Sequence, residues 1–250
     1  MLSIRERLGI LRSVAAYYWK PFNKRKLMKF YGQFVEPGSL CFDIGAHLGN
    51  RTNAWLALGA KVIAVEPQPI CFNYMKQKFA GNKAAILLEL AVGERAGYAE
   101  MHISAATPTV STLANPEWRQ IINEDTPYEV KWEKQQQVKI VTLDNLITQY
   151  GMPAFCKIDV ENYELEVLLG LSQPIPALSF EFYPATIQNT IKCINRLEIL
   201  GEYEYNWSTA ESQQFNTASW LTATEMIDIF KNYTRKDKYG DCYARLKKKS

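Results

Sequence analysis

At 250 residues, with 47% hydrophobic and 22% charged side chains, the chain can bury a full core as one domain with an appendage, and its composition excludes a disordered or fibrous protein. A net charge of +3 is too small to argue a nucleic-acid partner, although residues 1–38 hold eight basic side chains against two acids, which leaves +6 there and −3 in the remainder. Five scattered cysteines without metal spacing read as buried thiols in a reducing compartment, no apolar run approaches the ~18 residues of a membrane span, and the start lacks an apolar h-region, so a cytoplasmic protein with no transmembrane segment and no nucleic-acid partner is expected.

In chain order, Ile4, Leu8, Leu11 and Ala15 recur at helical spacing, extended by Tyr18 and Trp19, so residues 3–19 are expected to form an amphipathic helix ended by Pro21. It reads as a lid packed on the domain rather than a lipid anchor, because its basic residues do not share one face. A short helix over Lys24 to Tyr31 and a Pro37-Gly38 turn lead to the first apolar strand, Leu40 to Phe42. That strand meets Asp43, then Gly45 and Gly49, then a helix with Trp55, Leu56 and Leu58 as candidates for its buried face. Glycine admits positive φ and lets a ligand lie against the backbone. The spacing Asp43-x-Gly45-x-x-x-Gly49 is not the GxGxxG of a dinucleotide fold. An acid at this strand end would repel a pyrophosphate but suits a cation such as an α-ammonium beside a sulfonium. The next strand, KVIAV, ends in Glu66, where a β-α-β unit places the acid that accepts hydrogen bonds from ribose hydroxyls. Each acid alone reads equally well as a capping or solvated carboxylate; the two together suggest a nucleoside with a charged amino-acid tail, S-adenosylmethionine.

Residues 70–79 carry Phe72, Met75 and Phe79 at helical spacing, residues 84–92 form a third apolar strand, and Tyr98 to Ile103 alternates as a fourth. This β-α-β-α-β order gives a parallel sheet with helices on both faces. Residues 104–137 break the rhythm: they are polar, hold Pro108, Pro116 and Pro127, and scatter Trp118, Tyr128 and Trp132 without a period. So long a loop is expected to be functional or mobile, its aromatics either stacking on an acceptor or anchoring the loop. A short strand follows at Val138 to Val141, a short helix at Asp144 to Tyr150, and then an apolar strand, Ala154 to Ile158, that ends in Asp159 and leads to a helix with Leu165, Val167, Leu168 and Leu169 inward. A strand at Ala177 to Phe182 carries Glu181 near its end, followed by a helix over Thr186 to Leu200 and a strand at Tyr203 to Trp207. Thr222 and Glu225 form a capping box opening a helix to Phe230, and Cys242 to Leu246 is the last strand, before Lys247, Lys248 and Lys249.

In DIGAHLGNRT (43–52), AVEPQP (64–69), AVGERAG (91–97), VTLDNLI (141–147), KIDVENYELEVLLGL (157–171) and LSFE (178–181), the chain resembles the FkbM family of S-adenosylmethionine-dependent methyltransferases over residues 35–182. The resemblance implies an α/β, Rossmann-like class I methyltransferase: a mostly parallel seven-stranded sheet, its last strand antiparallel, with helices on both faces. It implies an enzyme that transfers a methyl group to a hydroxyl of a sugar, glycan or secondary metabolite. Residues 1–34 would be an N-terminal helical segment acting as lid or substrate cap, and 35–250 the methyltransferase domain with an insertion at 104–137. Carried over position by position, Asp43, Gly45, Ala46, His47 and Thr52 would face the methionine part of the cofactor, Glu66 its ribose, and Ala91 and Val92 its adenine, while Asp159 and Glu161 would look toward the acceptor.

Two positions depart from the family pattern: His47 stands where Asn is usual, and Asn162 replaces the common Gly of the DVEGxE motif, which makes the placement of Glu161 depend on Asn accepting a left-handed backbone. His47 reads as structural or cofactor-contacting in preference to a base. A hydroxyl needs a base as it attacks, so Asp159 or Glu161 is expected to be catalytic, with Glu181, Trp118 and Trp132 on the substrate. A divalent cation on the three acids is the lesser reading, because no tight ligand cluster is visible, and no metal site is expected. The rivals are a non-catalytic nucleoside-binding module and a nucleic-acid methyltransferase using the basic N-terminal segment.

Overall fold

The computed structural model describes residues 23–104, 106–126 and 128–247, together with Gly9 and Val14. The helix expected over 3–19 lies, but for those two positions, outside them, as do Lys248 and Lys249 of the lysine tail.

Short apolar runs ending in an acid become strands covered on both faces. These are β1 (Leu40–Ile44), β2 (Lys61–Val65), β7 (Phe155–Ile158) and β8 (Ala177–Phe182), in which all but a few side chains are buried. With β3 (Ala85–Leu88), β9 (Tyr203–Thr209) and β10 (Gly240–Leu246) they form a seven-stranded sheet of order β3-β2-β1-β7-β8-β10-β9. Every hydrogen-bonded pair is parallel except those of β10, which runs antiparallel to both β8 and β9. The winding reverses between β1 and β7, the place where such sheets open a crevice at the carboxyl ends of their strands.

Helices cover both faces. On one, α5 (Leu143–Tyr150), α6 (Glu164–Leu169), α7 (Ile187–Leu200) and α8 (Ala223–Lys231) bury Leu146, Val167, Ile194 and Phe230 against Phe42, Ile158 and Phe180. The capping box of Thr222 and Glu225 opens α8 as expected. Leu169, expected inward, is instead 41% exposed, because the buried face of the short helix α6 is formed by Glu164, Val167 and Leu168 and Leu169 falls on the opposite side. On the other face, α1 (Asn23–Tyr31), α2 (Asn50–Ala57) and α3 (Pro69–Lys78) bury Leu27, Tyr31, Trp55 and Met75. Tyr31, Trp55 and Phe155 meet edge to face at 5.3–5.7 Å, each pair contributing about 0.5–1.5 kcal/mol beyond its buried area. Leu27, Phe30 and Tyr31 of this first helix, with Phe34 after it, pack into the core of this face.

The third strand expected over 84–92 divides. β3 ends at Leu88, and β4 (Ala91–Val92) joins a separate three-stranded sheet of order β4-β6-β5 with β5 (Gly97–Ile103) and β6 (Lys134–Val141). β6 is twice the expected length: its polar first half, Lys134 to Gln137, is held by antiparallel pairing to β5. The stretch read as an irregular loop also contains α4 (Pro116–Asp125), capped by the Asn115 side chain on the Trp118 N–H.

Candidate active site

The turn after β1 is wound through left-handed positions at Gly45 (φ 80°), His47 (φ 50°) and Gly49 (φ 71°). Gly45 admits nothing larger, because a Cβ there would sit 1.8 Å from the Asp159 carbonyl oxygen at the end of β7. The N–H groups of Gly45 and Ala46 both donate to the Val65 carbonyl at 2.9 Å, which fastens the turn to β2. Glu66 accepts from the His47 N–H and the Gln68 N–H, each at 2.8 Å. Burial nonetheless outweighs these bonds and raises its carboxyl to about 7. Burial also pulls the His47 imidazole down to about 4, so it is neutral and a poor base at physiological pH.

These elements enclose a cleft of about 840 Å3 over the carboxyl ends of β1, β2 and β7. Asp43, Gly45, Ala46, His47, Glu66, Ala91, Val92, Asp159 and Glu161 all line it. Thr52 does not: it is fully buried, and its N–H and hydroxyl donate to Asp43 Oδ2 at 3.0 and 2.5 Å, so it orients the acid instead of facing a ligand. The beginning of the insertion, Pro108 to Leu113, forms part of the wall, tied down by Gln68 Nε2 donating to the Pro108 carbonyl at 3.0 Å.

Below the cleft the strand register sets a polar row into an otherwise apolar sheet. Asp43 pairs with Lys157 and Lys157 with Ser179, while one step along the strands Glu181 pairs with Asp241. The Lys157 ammonium, 1% exposed, meets Asp241 at 2.5 Å and Asp159 at 3.2 Å. Burial raises the Asp159 carboxyl, but Lys157, then Arg51, together with hydrogen bonds from Lys157 and Glu181, more than reverse this and hold it below the usual carboxylate range. Glu161 and Glu181 move the other way, raised well above the ordinary value by burial and then by the Asp159 charge. Ligand atoms of Asp159 and Glu161, which follow β7, and of Glu181 on β8 lie within 4.8 Å of one another, a closeness that the sequence does not show and that is tight enough to share protons or hold a cation.

Glu161 keeps its place despite Asn162. Both residues are left-handed (φ 57° and 69°), and the turn is stapled by Thr112 Oγ1 donating to the Glu161 carbonyl at 2.7 Å, Asn189 Nδ2 to Asn162 Oδ1 at 3.1 Å, and the Val160 N–H to Glu164 at 3.0 Å. Glu181 lies outside the large cleft and faces a side pocket of about 280 Å3 with Trp118, Asn162, Tyr183 and Asn189. Trp118 is 2% exposed and packs edge-on against Tyr183 at 5.0 Å, and Trp132 donates from Nε1 to the Val110 carbonyl at 2.9 Å and lines neither pocket. The two tryptophans thus anchor the insertion, and only Trp118 borders a pocket.

A family model described as methyltransferase FkbM domain matches residues 43–235, well over half of the chain. The chain belongs to the FkbM methyltransferase family. No curated protein matches the sequence. Solved structures matched over most of their length include a precorrin-6y C5,15-methyltransferase from Geobacter metallireducens GS-15 (TM-score 0.48, 9% identity, 90% of this chain and 87% of that one). Others are a TehB-like SAM-dependent methyltransferase from Corynebacterium glutamicum ATCC 13032 Kitasato (0.48, 11%, 95% and 95%) and an O-methyltransferase from Bacillus cereus in complex with SAH (0.42, 13%, 97% and 89%).

The cofactor of this methyltransferase is S-adenosylmethionine, and the cleft fits it. Glu66 offers acceptors for ribose hydroxyls, Ala91, Val92, Met101 and Leu113 an apolar slot for a flat base, and Asp43 and Asp159 a negative environment for a sulfonium and an ammonium. Arg51, Lys157, Asp241 and Glu211 went unremarked in the sequence. A lone lysine inside the apolar run AFCKID was the one local signal; the partners lie 84 and 160 residues away from their mates. No helix of the described residues is long and apolar enough to cross a membrane.

Proposed function

We propose that this methyltransferase acts on a hydroxyl of a sugar, glycan or secondary metabolite, with Asp159 and Glu161 as the catalytic carboxylates. The observation that carries the reading is the carboxylate cluster where the cofactor cleft and the side pocket approach each other: Asp159 and Glu161 border the first and Glu181 the second, with ligand atoms within 4.8 Å. S-adenosylmethionine supplies a methyl group on a sulfonium. The chain's own residues hold the acceptor in line and take its proton. Lys157 keeps Asp159 anionic, and Glu161, whose raised affinity for protons makes its ionised form the stronger base, receives the hydroxyl proton in that form as the oxygen attacks. Glu181, Asn162 and Asn189 present acceptors and donors to the rest of the acceptor molecule.

Three carboxylates at this lip disfavour a phosphate backbone, which supports a small or glycan acceptor in preference to nucleic acid. All five cysteines are buried and unpaired, which suits the reducing cytoplasm. The test is a screen of hydroxylated metabolites and glycans with wild type, Asp159→Asn and Glu161→Gln. Turnover is expected to fall at least a hundredfold in Glu161→Gln with S-adenosylhomocysteine affinity unchanged; full activity in both variants would sink the carboxylate reading. A second reading, favoured by the closeness of the three ligand atoms, gives the same carboxylates a divalent cation that acidifies the hydroxyl. Loss of turnover in a chelator, restored by Mg2+, would select it.

A further inference from the structure

Two buried donors on the cleft wall have no acceptor among the described residues: Nε of Arg51 and Nδ2 of Asn50. Both side chains line the cofactor cleft and stand in the first turn of α2. Arg51 is 8% exposed, and its guanidinium is fixed on its other edges, Nη2 donating to Glu211 Oε1 and Oε2 at 3.1 and 3.2 Å and Nη1 to Asn50 Oδ1 at 3.2 Å. Asn50 Oδ1 also accepts from the Arg51 N–H at 2.7 Å, which turns its amide nitrogen away from the helix. The first-turn N–H groups of α2 are already taken, that of Arg51 by Asn50 Oδ1 and that of Thr52 by Asp43, so the donors left over at this corner are on side chains. A buried donor without an acceptor is costly, and two of them, one on a fixed guanidinium and one on the neighbouring amide, describe a place for an anion.

The cofactor carries one anionic group. We propose that Arg51 and Asn50 bind the α-carboxylate of the methionine tail, with Glu211 as a positioning residue that holds the guanidinium. The opposite charges of the ligand then fall to Asp43 and Asp159, so cation and anion of the amino-acid tail are read by different strands and helices of the same turn. The inference rests on the cofactor and not on the identity of the acceptor.

The experiment is calorimetric titration of the full chain with three probes: S-adenosylhomocysteine, its decarboxylated analogue, and 5′-methylthioadenosine, which has no amino-acid tail. In Asn50→Ala and Arg51→Gln, S-adenosylhomocysteine is expected to bind roughly 10–100-fold more weakly, while methylthioadenosine stays within about twofold of wild type. The decarboxylated analogue should lose the same factor against wild type and nothing further in the variants. Should Arg51→Gln fail to fold, Asn50→Ala, at a partly exposed position, carries the test with its melting temperature as control. Equal weakening of all three probes, or wild type binding the decarboxylated analogue as tightly as S-adenosylhomocysteine, overturns the proposal. Binding of none of the probes by wild type removes it together with the cofactor, and neither result bears on the acceptor hydroxyl.

Discussion

Glu66 shows how a single buried carboxyl couples ligand and pH. With its carboxyl at about 7 in the fold and near 4.5 unfolded, its contribution to stability is complete below pH 4.5 and is lost as pH rises through 7. With the ribose placed on Glu66 as proposed, its hydroxyls would donate to the ionised form, so ligand binding is expected to run the other way. The rise in melting temperature with S-adenosylhomocysteine should be larger at pH 8 than at pH 6, and Glu66→Gln should flatten that difference. The Asp159 and Glu161 pair makes a second pH statement. Because the Asp159 charge helps to raise Glu161 and only its ionised form takes a proton, kcat/KM is expected to climb as pH rises, and the residual activity of Asp159→Asn should follow a profile moved toward acid. A profile left in place would remove Glu161 as the base. Lys157→Met leaves Asp159 and Asp241 without their cation; a cost of about 3 kcal/mol, or roughly 6–12 °C in Tm, is expected, with part of it recovered in the Lys157→Met, Asp241→Leu double variant. Equal melting temperatures for wild type and Lys157→Met would show that the pair is screened.

Among elements, the turn from β7 to α6, where the proposed base stands, is built on two consecutive left-handed residues that are not glycine. Each such position costs about 1–2 kcal/mol, against which stand the bonds from Thr112 and Asn189. Asn162→Gly relieves backbone strain but drops the Asn189 bond, and its Tm should stay within about 2 °C of wild type. Asn162→Val forfeits both and should lose about 2–3 kcal/mol by thermal melting. In Thr112→Val, turnover is expected to fall while nucleoside affinity holds, since that hydroxyl grips Glu161 and does not line the cleft. The strands that hold the acids were legible in the sequence because a parallel strand buried on both faces is a bare apolar run, and LCF, KVIAV and LSF read so. β6 was half hidden because KQQQ has no apolar face of its own and takes its register from β5. α4 went unread although Asn115-Pro116 is an N-cap followed by a proline at the first helical position, a local signal outweighed by the prolines and polar residues around it. The polar row under the cleft was illegible for a different reason: it is assembled by sheet register between segments far apart in sequence, and no periodicity announces it.

At the scale of the molecule, the sheet is held together by its most C-terminal strand. β9 joins it through β10, and β10 brings Asp241 to Lys157. A chain ended at Tyr239 would leave β8 with an open edge and Lys157 with one fewer counter-ion. It is expected to show no cooperative thermal transition by circular dichroism; a sharp one would mean that the first five strands suffice. The insertion is bound into the same whole by Arg235, which pairs with Glu124 and Asp125 of α4, and by Tyr183, stacked on Tyr239 and edge-on to Trp118. Opening the side pocket therefore involves the segment after α8 as well as the insertion.

The place of β10 has a consequence for the order in which a ribosome delivers the parts. The glycine turn, Glu66 and the carboxylates Asp159, Glu161 and Glu181 all emerge before the strand that completes the sheet, so Lys157 spends that interval without Asp241. A nascent chain halted anywhere before β10 should present the residues of the nucleoside cleft without the cleft. Ligand capture by chains halted before and after residues 240–246, each carried on a linker long enough to clear the exit tunnel, would therefore time the closing step of its assembly.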